Sequence, residues 1–183
     1  DVDLIIVEDE DYMAIQDRGA SKMSVDERFR FVQQVPIFKN WEPYRLYRVA
    51  HSLQQDELEK GVVALKKGES NKDWKFVVGG KLDIVTGLVD PSVITTVQIH
   101  DYFGESGLLN KAEKDKFVPQ LVEGSYAIAA SKVEILTLTE ANFNQIINHR
   151  GSIDSIKSAF LAKKKWRQTR TGQLKTERSR VKN

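Results

Sequence analysis

The sequence predicts an α+β fold that is mainly β: an antiparallel, jelly-roll-like β-roll flanked by N- and C-terminal helices. Two observations carry the prediction. Short runs rich in β-branched and aromatic residues recur at 62–65, 74–78, 82–85, 93–99, 126–130 and 133–138, divided by turn signals at Gly61, Gly68, Gly79, Gly80, Asp90 and Pro91. Helix-period segments with capping signals stand before and after them. With 183 residues and a hydrophobic content of 40%, the chain can build one core with extensions.

The elements follow in order. Ser24 and Glu27 have capping-box spacing and open a helix over 28–34 with Phe29 and Val32 on one face; Val35 and Pro36 end it. Asn40 is read as the cap of a second helix, with Pro43 in its first turn and Leu46, Val49, Ala50 and Leu53 as its apolar stripe. Trp41 reads as a core anchor. Beyond the strands, 140–148 is a helix with Phe143, Ile146 and Ile147 pointing inward. Gly151 breaks it, and Ser152 caps a last helix through about Trp166 that bears Ile153, Ile156 and Phe160.

Residues 2–15 echo 133–146: an apolar strand, acidic residues, an aromatic (Tyr12, Phe143) and an isoleucine (Ile15, Ile146). Gly19 or Gly151 and a serine-capped helix follow in each case. Such self-similarity marks repeated units. Residues 1–20 are therefore expected to close a preceding domain of the same type, with the roll domain at 21–150 and a C-terminal helix and basic tail at 151–183. Because the chain opens on Asp1, it is expected to be an excerpt of a longer, tandem protein.

A formal net charge of +2 hides an asymmetry. From Lys157 onward the chain carries ten Lys/Arg and one acid, Glu177, so the 18 basic and 25 acidic residues before it leave an acidic body. A basic tail on an acidic body suits an anionic partner, and Lys163, Lys164, Lys165, Arg167 and Arg170 are the candidate contacts to acidic protein surfaces. The plainer reading is a solvated extension. Cysteine is absent, which excludes disulfides, thiol nucleophiles and thiolate metal sites from these residues. No apolar run reaches membrane-spanning length. His51, His100 and His149 are dispersed, so no metal is expected. No Walker loop, Ser/His/Asp set or paired catalytic carboxylates emerge, and no enzymatic activity is expected. The roughly 30 residues after Gly151 are too few for a helix-turn-helix module, so no nucleic-acid partner is expected.

The stretch most suggestive of chemistry runs from Asp101 through Tyr102, Phe103, Gly104, Glu105, Ser106 and Gly107 to Leu108 and Leu109. Two aromatics lead into a glycine turn, then an acid, then small residues that can open a helix. Backbone N–H groups at such a start can face an anion while Glu105 accepts from hydroxyls. Glu105 also has a plainer role available, accepting backbone hydrogen bonds that hold the turn.

Taken in order, these pieces resemble the cyclic nucleotide-binding domain family from about Arg28 to Arg150. Val35 to Phe38 resembles its entry segment, 58–69 its first hairpin, 74–84 the next strand pair, 101–109 the start of the phosphate-binding cassette, and 133–146 the closing strand and helix. The resemblance implies a ligand pocket in the roll, formed by Phe103, Gly104, Glu105, Ser106, Gly107, Leu108 and Ala127. Glu105 would take the ribose 2′-hydroxyl, amides from Ser106 to Leu108 would face the cyclic phosphate, and the last helix would act as a lid. Relatives of this kind also make a cilium or flagellum conceivable as the location within the cell.

The family's phosphate-pairing arginine is missing. Glu123 and Gly124 stand where Pro-Arg is expected, and the long 110–124 loop contains no arginine. Leaving a buried phosphate without its bidentate cation costs about 3–5 kcal/mol, or roughly two to three and a half decades of affinity. The expected protein is a non-catalytic regulatory or scaffolding module with a degenerate cassette, working through protein partners and without a cofactor. The alternative is a sensor of cAMP, cGMP or a nucleoside; loss of the arginine with Glu105 kept would favour an uncharged, ribose-containing ligand.

Overall fold

The computed structural model describes residues 22–69, 71–112, 123–147 and 150–181. The segment expected to end a preceding domain, 1–20, lies outside them, as do residues 113–122 of the long loop.

Helix α1, Val25–Gln34, begins in a complete capping box: Glu27 N–H donates to Ser24 Oγ at 3.2 Å, and Ser24 N–H donates to Glu27 Oε2 at 2.7 Å. A 3₁₀ turn, Pro36–Phe38, leads to α2, Pro43–Ser52. The cap of α2 is Glu42, without a side-chain bond, rather than the expected Asn40. Pro43 fixes the helix start, which leaves Asn40 too far upstream to reach the first-turn amides. Trp41 is half-buried, with its ring on Phe38 and beneath the Arg45 guanidinium, so it borders the core rather than anchoring it.

Among the described residues, eight strands form two four-stranded antiparallel sheets. One runs β1 (Gln54–Leu58), β8 (Val133–Leu138), β3 (Trp74–Gly79), β6 (Tyr102–Phe103); the other runs β2 (Val63–Leu65), β7 (Tyr126–Ala129), β4 (Leu82–Val85), β5 (Val93–Val97). Strand β1 was not predicted. Its sequence is polar because it lies at a sheet edge, and pairing with β8 from Gln54↔Thr137 to Leu58↔Val133 makes it a strand. Strand β5 ends at Val97 rather than at residue 99, before a turn in which His100 takes a positive φ of 66°.

Strands β3 and β8 are buried on both faces, and their alternation divides two cores. Trp74, Phe76, Leu136 and Leu138 pack with Phe38, Leu46, Val49 and Phe143 of the helical layer. Val77, Val133 and Ile135 point into the roll with Leu82, Ile84, Phe103, Ala127 and Ala129. A short helix α3, Ser106–Ala112, follows β6, and α4, Glu140–Ile146, follows β8, capped by Thr139.

The last helix, α5, departs from expectation. It spans Arg150–Val181, 32 residues, instead of ending near Trp166. Gly151 lies within its first turn, and Ser152 is no cap; its Oγ accepts from Arg45 Nη2 at 2.9 Å. Lys, Arg and Gln, which dominate the second half, are good helix formers, and Arg178 and Arg180 in the last turn suit the helix dipole. Ile156 and Phe160 anchor the first half in the helical core, while Leu174 packs against the roll core. At the far end Arg178 Nη1 meets Asp90 Oδ2 at 2.9 Å. The helix therefore lies across the opening of the roll.

Candidate ligand-binding site

The cassette is built by β6, the Gly104 turn and α3. Gly104 has φ +89°, and an added Cβ would come within 2.5 Å of the Asn71 amide nitrogen and the Asp73 carbonyl oxygen. Only glycine fits there, and this close approach seats the following Glu105 inside the protein. Glu105 is 2% exposed and Ser106 fully buried. The Ser106 hydroxyl accepts from Asn71 N–H at 3.3 Å, tying the cassette to the end of the β2–β3 connection.

Glu105 is occupied from within the chain. Lys163 of α5 brings its Nζ to 2.7 Å from Glu105 Oε1, as an ion pair outside hydrogen-bond angles. The same ammonium donates to the Tyr102 carbonyl oxygen at 3.1 Å and lies 3.6 Å from the centre of the Tyr102 ring. Loss of solvation pulls the Lys163 ammonium below the usual lysine range, and the Glu105 carboxylate opposes that shift. Burial, then the charge of Glu105, pushes the Tyr102 hydroxyl above the ordinary tyrosine range.

A second buried carboxyl faces the same opening. Glu123, 4% exposed, precedes β7, and its Oε1 has no hydrogen-bond partner among the described residues. Burial first, then Glu105, raises its pKa, which a hydrogen bond with Ser106 opposes. Gly124, at the position aligned with the family arginine, is exposed, and a Cβ there would meet nothing within 4 Å. Between these residues and α5 lies a cavity of about 410 Å³, lined by Lys67, Glu123, Gly124, Lys163, Lys164 and Arg167 among others. On the other side of Lys163, Thr95, Tyr102, Trp166 and Arg167 border a second cavity of about 300 Å³.

The pocket residues expected from the sequence scatter around this centre. Glu105 and Ser106 stand beside Glu123. Phe103 and Ala127 are core residues of the roll, Leu108 belongs to the helical core, and Gly107 is half-buried. Lys163, expected on a surface that meets acidic partners, is instead turned into the cassette, because only there does its charge find Glu105. Lys165 does remain exposed, and Arg170 reaches Glu177 within α5 at 3.5 Å. A signal for Lys163 was present. The apolar stripe Ile153, Ile156, Phe160 continues at intervals of three or four residues through Lys163, Arg167, Thr171 and Leu174, so the buried face of the helix turns basic at the pocket.

No protein-family model matches the chain. It is 26% identical over 117 residues to the cAMP-dependent protein kinase regulatory subunit of Yarrowia lipolytica, covering 64% of this chain but only 28% of that protein. The cAMP co-crystal structure of the regulatory domain of Toxoplasma gondii PKA superposes with a TM-score of 0.61 at 20% identity, over 76% of this chain and 50% of that one. A regulatory subunit of a cAMP-independent protein kinase A from Trypanosoma cruzi, bound to guanosine, gives 0.59 at 18% identity, over 84% and 51%. The fold is thus that of the cyclic nucleotide-binding regulatory domains. In this chain Gly124 stands where the sequence alignment expects the arginine, and Lys163 lies against Glu105.

Proposed function

We propose that the chain is a non-catalytic regulatory and scaffolding module whose cassette is degenerate and is held shut by its own C-terminal helix, leaving the roll and α5 to meet protein partners inside the cell. The Lys163–Glu105 contact of 2.7 Å carries this reading. The carboxylate that would take a ribose hydroxyl already holds a cation of the same chain. The buried Glu123 supports it further, because a cyclic phosphate would enter beside a carboxyl rather than a guanidinium. Regulation in such a module runs through α5: a partner that lifts the helix removes Lys163 from Glu105, and a partner that grips it keeps the pocket closed.

Calorimetric titration with cAMP, cGMP and adenosine tests the reading, with Glu105→Ala as control. Silence up to millimolar ligand is expected. Micromolar cyclic nucleotide binding that Glu105→Ala abolishes would establish a sensor and overturn the proposal. The design also predicts a gain of function. A Cβ added at Gly124 meets nothing within 4 Å, and Gly124→Arg combined with Lys163→Ala supplies a phosphate cation and frees Glu105, so cAMP binding should appear.

One observation favours a second reading, an uncharged nucleoside as ligand: the Trypanosoma cruzi neighbour is bound to guanosine, and here Glu105 is kept while the phosphate arginine is not. Micromolar binding of adenosine or guanosine, with none of cAMP, would select it.

A further inference from the structure

The cavity of about 410 Å³ between the β2–β3 connection and α5 has chemistry of its own. Lys67, Lys164 and Arg167 line it, and none of the three forms an ion pair with another described residue. They come from two separate elements, a turn of the roll and the C-terminal helix. Lys163, a fourth basic lining residue, is already neutralised by Glu105. These three cations converge on one concave space and outnumber Glu123, the acid in the described lining, which leaves a net positive field there.

Among the described lining residues the only acid is Glu123, buried at 4% exposure, with its Oε1 unpartnered among them. Native structures rarely leave such an atom unsatisfied, and in a cavity a ligand hydroxyl can supply the donor that the described residues do not. The volume is within the range of small-molecule sites. We infer that this cavity binds a hydroxylated phosphate monoester, such as a sugar phosphate or a nucleoside 5′-phosphate, with its phosphate on Lys67, Lys164 and Arg167 and a hydroxyl donating to Glu123.

A monoester fits better than a cyclic diester because its second negative charge matches the additional cations. In this site the phosphate cations sit on α5 and on the β2–β3 connection rather than at position 124 before β7, so the ligand would clamp the helix to the roll. The inference rests on the closed arrangement of α5 proposed above, but cyclic nucleotide titration reads that proposal separately.

The test is calorimetry on the purified chain with ribose 5-phosphate, 5′-AMP, inorganic phosphate and ribose. Both monoesters should bind, more weakly at high salt, and Lys67→Gln and Arg167→Gln should each weaken them about tenfold or more. Lys67 lies in an exposed turn, so its variant keeps the fold whatever happens to α5. Glu123→Gln should weaken ribose 5-phosphate while leaving inorganic phosphate unchanged. Absence of monoester binding up to millimolar concentration, affinity unmoved in both cation variants, or inorganic phosphate binding as tightly as ribose 5-phosphate would each overturn the assignment. Silence with cAMP and monoesters alike sinks this inference alone; cAMP binding sinks the closed-pocket proposal.

Discussion

Two buried carboxyls face the same opening and meet opposite fates. Glu105, placed by the cassette turn, has a lysine ammonium 2.7 Å away. Glu123, placed by the entry to β7, keeps an oxygen without any partner among the described residues. Burial costs a charged carboxylate several kcal/mol unless a cation and hydrogen bonds offset it. The first site therefore contributes to docking α5, whereas the second is a standing cost that the fold tolerates. Residues of one type at one opening thus have roles set by their partners.

The largest effect should come from breaking the paired site. Glu105→Gln leaves the Lys163 ammonium half-buried without its counter-charge and should lower unfolding stability by about 3–5 kcal/mol in urea titrations. A loss below about 1 kcal/mol would mean that the pair is no more than a surface contact.

How much of this contrast could be read in advance differs from element to element. The roll was legible because β3, β4 and β8 carry dense apolar runs, and the capping box at Ser24 and Glu27 announced α1. Strand β1 was not, since Gln54–Leu58 is polar and becomes a strand only through pairing with a distant segment. The glycine turn pointed to Glu105, which the structure buries against Lys163, and the lack of an arginine at position 124 can be read directly in the sequence. Lys163 was missed because a basic segment reads as solvated, and its burial depends on a carboxylate that α5 meets only after folding. Its place on the continued apolar stripe was the one local clue.

A smaller effect should follow from weakening the apolar anchor that brings α5 to the pocket. Ile156 is fully buried in the helical core, and Ile156→Ala should cost about 2–4 kcal/mol by denaturant titration. Emission from the exposed Trp166 should change as the helix loosens.

The unpaired site should respond with the opposite sign. Glu123 has its folded pKa raised, so the folded state holds its proton more tightly than the unfolded chain. Stability is then lost as pH rises from the ordinary carboxyl range through the folded pKa, and it is regained on acidification. Glu123→Gln should therefore stabilise the protein by about 1–3 kcal/mol at neutral to alkaline pH, with the gain vanishing in acid. Thermal melts from acid to alkaline pH would show the two curves converging at the acid end.

The smallest effect belongs to the exposed pair at the far end of α5. Arg178→Ala removes the contact to Asp90, whose side chain is 80% exposed, and should cost at most ~1 kcal/mol, falling further in high salt. A larger loss would move the anchor of the helix from Lys163 to its C-terminal end.

The account stands on Lys163 and Glu105 acting as a pair, and a double-mutant cycle with Glu105→Gln and Lys163→Met measures that directly. Coupling on the order of 2–3 kcal/mol, with the double variant more stable than Glu105→Gln alone, is the predicted result. Additivity within ~0.5 kcal/mol would show that the two side chains do not interact and would contradict the closed pocket.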